Sequence, residues 1–214
     1  GGTAWLLKDR YQLHVICASQ GERGYASTVA GPKPPCPVTA ATRAREEAAA
    51  CALLDARLSF LGLIDGELFA ERSVCERIAG MLAAIKPVAL FALGPLEKPD
   101  HAAMSLAARL ALHLADLYWT TELLMPFRHG ETVNMSHASL FVNISSVIEH
   151  KRQLIRCHTT QAPDESAVER VLVRNMLLGK MAWCEYAEAY ITGLPLVATR
   201  WQRPAGSILM QLAS

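Results

Sequence analysis

The 214-residue sequence predicts an α/β fold, a mainly parallel sheet flanked by helices. Two observations carry that prediction. Short Val/Ile/Leu-rich runs alternate with longer helical patterns over residues 12–118, in the order strand, helix, strand, helix, strand, helix. Parallel strands need such crossover connections. About half of the residues are hydrophobic (51%), enough for one domain with a sizeable core and too many for a disordered chain.

Residues 3–8 (TAWLLK) read as a short helix and residues 12–18 (QLHVICA) as a strand. Residues 19–25 (SQGERGY) form a polar, Gly-containing loop, and residues 30–38 a Gly/Pro-rich coil. Thr39 or Thr42 can cap the next helix, with Glu46 in its first turns and an end near Leu54. Residues 57–63 (RLSFLGL) read as a strand that leaves through an Asp65-Gly66 turn. Apolar residues at Val74, Ile78, Met81, Leu82 and Ile85 repeat at helical spacing, and Lys86-Pro87 stops that helix. Residues 88–93 (VALFAL) look like a buried parallel strand, residues 94–100 like a loop, and residues 101–118 like a long helix.

Further on, strands are expected over 122–127, 140–144 and 195–198, and helices over 147–157 and 166–178. The second of these helices is expected to continue through Ala189. No repeat or low-complexity tract is present.

Composition excludes several classes. A net charge of +1 gives no basis for a nucleic-acid or membrane-surface partner. The longest apolar runs, such as residues 87–96, are far shorter than a membrane span, and no signal-peptide pattern is visible. The six cysteines stand singly without CxxC spacing, which fits buried thiols in a reducing, cytoplasmic setting and excludes a zinc ribbon.

Ligands of open α/β sheets bind beyond the carboxyl ends of the strands, here the loops 19–25, 63–68 and 94–101. The last carries Lys98-Pro99-Asp100-His101. A histidine beside an aspartate can ligate a metal with an acidic neighbour orienting the site. The alternative is a helix cap at Asp100 with His101 solvated.

The ordered set of motifs resembles the PIG-L/LmbE-like N-deacetylases. GGT opens a helix and strand, followed by a loop with Ser19, Gly21, Glu22 and Gly24. Arg43-x-x-Glu46 opens an Ala-rich helix, LGLIDGEL spans 61–68, and PDHAA spans 99–103. VNISSVIEHKRQLIRCHTTQ (142–161), then Gly179 and EYAEAY (185–190), complete the series.

That resemblance implies a Rossmann-like three-layer fold and a zinc-dependent hydrolase. Such an enzyme removes an acetyl group from an N-acetylated amino sugar or a conjugate of one. It implies His101 as a zinc ligand with Asp100 as its matched neighbour, and Arg43 near the site, engaging acetate or polar substrate groups. Glu46 would hold Arg43 by a salt bridge or form an ordinary helix-surface pair. Glu22, in the loop after the first strand, is expected to bind substrate. Homo-oligomers are common in that family.

The sequence departs from the family in three places. The family's His-Pro-Asp-Asp motif ends shortly before its GGT, where this sequence begins. The expectation is therefore a single domain over 1–214 without its first strand and metal-motif loop. The chain by itself is expected neither to hold zinc tightly nor to deacetylate, the full-length parent being the N-acetyl-glucosaminyl-type deacetylase. Lys98 stands where the family usually has a histidine, and can supply positive charge to an oxyanion or be a solvated surface residue. Asn143 replaces an aspartate.

His14 and His113 read as structural, and His129 and His137 flank a loop near the pocket mouth. His158, Tyr186 and Glu188 read as packing, hydrogen-bonding or capping groups. The competing function is a non-catalytic sugar-binding or scaffold homologue. A methyltransferase-like fold is disfavoured because SQGERG is a poor cofactor loop.

Overall fold

Helices and strands alternate through the first half of the computed structural model, which describes residues 1–24, 33–94, 98–126, 140–192 and 207–213. The elements are α1 (Gly2–Leu7), β1 (His14–Cys17), α2 (Pro37–Leu53), β2 (Arg57–Phe60), α3 (Arg72–Ile85), β3 (Ala89–Phe91) and α4 (Pro99–Leu114). They continue with β4 (Glu122–Pro126), β5 (Leu140–Asn143), α5 (Ile148–Arg156), α6 (Glu165–Met181) and β6 (Ala187–Thr192). Two compact units result: Gly1–Glu67 with Asn143–Glu188, and Leu68–Val142 with Ala189–Ser214. The strand expected at 195–198 lies outside the described residues. No described helix is long and apolar enough to cross a membrane.

In the first unit β1 and β2 pair in parallel, from His14 opposite Arg57 to Cys17 opposite Phe60. The helix between them begins earlier than a threonine cap would allow. Cys36 is the N-cap and Pro37 follows at the first helical position. Proline fits there because its φ is already helical and its missing N–H would have had no helical partner. Glu46 therefore sits deep in α2, and it is buried.

Glu188 draws three elements of this unit together. Its carboxylate accepts the N–H groups of Gly2 and Thr3, both at 2.9 Å, at the start of α1. It also pairs with Lys151 of α5 at 2.5 Å, both side chains being 11% exposed. Carboxylates suit helix starts because the leading N–H groups have no partner within the helix. Burial opposes ionisation of Glu188, but the N-terminal ammonium and Lys151 outweigh it and hold its pKa well below the usual carboxylate range. Trp5 of α1 also stacks on His150 of α5, with ring centroids 4.1 Å apart.

The helical expectation through Ala189 is wrong: α6 ends at Met181 and residues 187–192 are strand β6. Trp183 takes a left-handed conformation at φ 56°, which breaks the helix. Gly179 lets the chain fold back closely, since a Cβ there would lie 2.4 Å from the carbonyl oxygen of Glu185. Ala187 to Tyr190 are all buried, so tertiary burial overrides the helical preference of Ala and Glu.

In the second unit α3 packs on α4, where Ala107 and Ala111 are fully buried and let the two helices approach. The helix stop at Lys86-Pro87 is observed: Lys86 is left-handed (φ 51°) and its N–H returns to the Leu82 carbonyl at 2.7 Å. A four-stranded sheet runs in the order β3-β4-β6-β5. It is mixed, because β3 and β4 are parallel while β6 runs antiparallel to β4. β3 ends the strand order, and Phe91 in it (39%) and Val88 just before it (53%) are exposed rather than buried as expected. α4 starts two residues earlier than expected, at Pro99, and ends at Leu114.

All six cysteines are unpaired, but only Cys51 and Cys75 are buried; the others are half-buried. Burial, then the nearby Glu47, pushes the Cys17 thiol up to about 12 and the Cys51 thiol to about 11. Neither is a ready thiolate at neutral pH.

Gly179→Ala should cost about 1–3 kcal/mol in denaturant unfolding, because the added methyl meets backbone rather than a movable side chain. Glu188→Gln leaves Lys151 buried without its counter-charge and should cost about 3–5 kcal/mol at neutral pH. Because the folded pKa of Glu188 is depressed, its stabilisation is fully present above the ordinary carboxylate pKa. It fades as pH falls through the lower folded value. The variant should thus show a flatter loss of stability in acid than the unmodified chain.

Candidate functional site

The parallel pairing of β1 and β2 sets the loops at their carboxyl ends side by side. The Leu61 N–H donates to the Cys17 carbonyl at 2.8 Å and the Leu63 N–H to the Ala18 carbonyl at 2.9 Å. Glu22, 9% exposed, accepts the Asp65 N–H at 2.7 Å. The next residue reciprocates: the Arg23 N–H donates to the Asp65 carboxylate at 3.3 Å and its guanidinium pairs with Glu67. The two loops are therefore stapled together, and one Glu22 oxygen is engaged in the staple.

Arg43 reaches this loop from the first turns of α2. Its Nη1 donates to the Gly21 carbonyl at 3.2 Å. Gly21 and Gly24 form a turn, closed by a 2.9 Å bond from the Gly24 N–H to the Gly21 carbonyl. A Cβ on Gly21 would sit 2.6 Å, and one on Gly24 2.0 Å, from the Arg43 guanidinium. The guanidinium thus rests against bare backbone, and Gly21 also has φ +66°, a conformation glycine adopts without strain.

Glu46 does not pair with Arg43. Its Oε1 accepts the Thr159 hydroxyl at 2.8 Å and the Thr160 N–H at 2.7 Å, and its Oε2 accepts the Thr160 hydroxyl at 2.6 Å. Burial raises its pKa, but these donors, with a contribution from His158, leave it below the usual value. Gln161, next in the chain, donates from Nε2 to the Gly24 carbonyl at 3.3 Å. Sequence reasoning assigned no role to Thr159, Thr160 or Gln161, because their partners lie more than 110 positions away.

In the second unit Lys98 is the N-cap of α4, Pro99 opens the helix, and Asp100 lies in its first turn. Asp100 is therefore not the cap. Its Oδ1 accepts the Leu68 N–H at 3.4 Å. A carboxylate in the first turn is favoured by the helix dipole. His101 follows, half-buried, while Lys98 is exposed. An imidazole and a carboxylate at adjacent positions can bind a cation in part or carry a proton.

Among the described residues no three His, Cys, Asp or Glu side chains come together as a metal-holding group. The five expected site residues thus fall into two sets: Glu22 and Arg43 in the first unit, Lys98, Asp100 and His101 in the second.

The remaining candidates are placed as follows. His158 lies 4.0 Å from Glu47, linking the 158–161 turn to α2. His113 lies in the last turn of α4 with its ring edge-on to Tyr118, and His14 is on β1. Asn143 accepts the N–H and hydroxyl of Ser145 at 3.0 and 2.7 Å, an Asx turn. His129 and His137 lie outside the described residues.

Residues 1–112 match the family model described as PIG-L: GlcNAc-PI de-N-acetylase. Solved structures share the fold. The conserved protein TT1542 from Thermus thermophilus is 25% identical (TM-score 0.72), over 95% of this chain and 91% of that one. The N,N'-diacetylchitobiose deacetylase from Pyrococcus horikoshii is 21% identical (TM-score 0.75), over 89% and 76%. GalB, the 4-carboxy-2-hydroxymuconate hydratase from Pseudomonas putida, is 22% identical (TM-score 0.72), over 92% and 90%. No curated protein matches the sequence.

Gly24→Ala places a methyl where the Arg43 Nη1 now lies. The guanidinium is the free end of a flexible chain and can swing away, so stability should fall by no more than about 1 kcal/mol. The Arg43 Nε–H resonance should shift and exchange faster with water. An unchanged resonance would show that Arg43 does not rest on this turn.

Proposed function

The chain belongs to the PIG-L family of GlcNAc-PI de-N-acetylases, and from that premise we propose that its natural protein removes an acetyl group from an N-acetylated amino sugar or a conjugate of one. The reaction is amide hydrolysis. The observation that carries the reading is the Lys98-Pro99-Asp100-His101 start of α4, with His101 beside a first-turn carboxylate. Deacetylases among the structures of like fold support it.

Each residue has a chemical task in this reading. An amide is a poor electrophile, so its hydrolysis needs an activated water and positive charge or donors for the oxyanion. The Lys98 ammonium supplies charge at the start of α4. Asp100, steadied by the Leu68 N–H, fixes its neighbour's surroundings. Arg43, held against the Gly21–Gly24 turn, offers a planar fork of N–H donors to a carboxylate or acyl oxygen. Glu22 holds the loop in which that turn sits.

Zinc is the cofactor the family implies, with His101 as one ligand, and when bound it would acidify a water and polarise the amide carbonyl. The described residues do not complete such a site. His101 and Asp100 bring two donors, whereas a catalytic zinc takes three protein ligands. The 214-residue chain alone is proposed to bind zinc weakly and to be inactive. The six unpaired cysteines support a cytoplasmic setting.

Acetate release from a panel of N-acetylglucosamine derivatives, measured on the natural gene product, should fall at least about 100-fold in His101→Ala, together with its zinc content. Retained activity in that variant would remove His101 from the site. Sugar binding without any acetate release would favour a non-catalytic binding homologue instead. Stoichiometric zinc on the 214-residue chain after dialysis would overturn the weak-binding proposal.

A further inference from the structure

Glu46 is only 7% exposed, and its carboxylate accepts three hydrogen bonds, all from Thr159 and Thr160. A buried carboxylate satisfied this fully is a rigid joint, since breaking any one bond leaves charge without compensation. What it joins matters more than its own strength. On one side is α2, which presents Arg43 a single turn before Glu46. On the other is the 158–161 turn, closed by the Gln161 N–H on the His158 carbonyl at 2.9 Å.

From that turn the Gln161 amide reaches the Gly24 carbonyl, and Gly24 with Gly21 forms the surface on which the Arg43 guanidinium lies. The contacts close a ring: Arg43, the Gly21–Gly24 turn, Gln161, Thr160, Glu46, and back through one turn of α2. Among the described residues Arg43 donates to this ring from Nη1 alone.

We infer that Glu46 is a positioning residue, acting through Thr160 and Gln161 to hold the Gly21–Gly24 turn and thereby the orientation in which Arg43 meets an oxyanion of substrate or product. This deepens the proposed function and rests on it for the nature of the ligand. A guanidinium is a planar fork whose two N–H vectors match a carboxylate only in one orientation, so a support that fixes its plane contributes affinity by preorganisation. An arginine tethered by one bond to a free loop would have to be ordered each time a ligand arrived. Glu46 itself touches no ligand in this arrangement.

The test uses three variants of the 214-residue chain and two readouts. Thr160→Val removes the hydroxyl that Oε2 accepts while keeping the branched shape, Thr160→Ser keeps the hydroxyl, and Gln161→Ala cuts the exposed last link. The first readout is the Arg43 Nε–H resonance in free protein; the second is the dissociation constant for acetate.

Thr160→Val and Gln161→Ala should each broaden or lose the resonance and weaken acetate binding about three- to ten-fold, and Thr160→Ser should stay within about two-fold of the unmodified chain. Gln161 is exposed, so its variant remains informative even where Thr160→Val fails to fold. An unchanged Arg43 resonance in Gln161→Ala would overturn the inference, whatever happens to acetate. A resonance that responds as described, in a chain that binds no acetate at all, would uphold the positioning role. It would sink the assignment of Arg43 as the ligand's partner.

Discussion

One constraint recurs through the described structure: a buried carboxylate must be given donors, and here backbone N–H groups supply them across long stretches of sequence. Glu188 accepts the start of α1, Glu46 accepts Thr160, Glu22 accepts Asp65 and Glu122 accepts Ile208. All four are under a tenth exposed. Removing an ionised carboxylate from water costs several kcal/mol unless such partners are in place. Each glutamate therefore makes its distant segment part of the folded structure. If the segment leaves, the charge is stranded.

This arrangement has a consequence for the candidate site. Loops that carry ligand-binding groups are ordinarily the least stable parts of an α/β fold. Here residues 21–24 after β1 are held from three directions: by Glu22 and Arg23 on the loop after β2, by Arg43 from α2, and by Gln161 from the turn after α5. Residues 19–24 are thus ordered by side-chain contacts to neighbouring segments, made by their own Glu22 and Arg23 and by Arg43 and Gln161 from elsewhere in the chain. Its glycines are the complement of that scheme. They contribute little order themselves, but they leave room for a guanidinium against the main chain.

The legibility of the sequence follows the range of the forces involved. α3 was readable because its apolar spacing and its Lys86-Pro87 stop are local. The β1 and β2 strands, with the Asp65-Gly66 turn, were readable for the same reason. β6 was not. Its AEAY core carries residues of helical preference, and only the left-handed Trp183, the close approach at Gly179 and the burial of Ala187 to Tyr190 make it a strand. The threonine cap assigned to α2 failed more simply, because Pro37 can begin a helix without a side-chain acceptor.

The site shows the same division at the level of single residues. Asp100 and His101 stand next to each other in sequence, so their proximity is given by the chain itself, and helix α4 adds only direction. Glu46 and Arg43 are also near in sequence, at a spacing that invites a salt bridge. Yet Glu46 turns to Thr159 and Thr160. The reason is energetic rather than geometric. An exposed i,i+3 ion pair is worth only a few tenths of a kcal/mol. Three donors to a buried carboxylate each count for more, and the position of Glu46 in α2 is buried. A local pairing rule gives the right answer only where both groups remain in water. At a buried position the identity of the partner is decided by which donors the rest of the fold can bring, and those lie beyond the reach of any short motif.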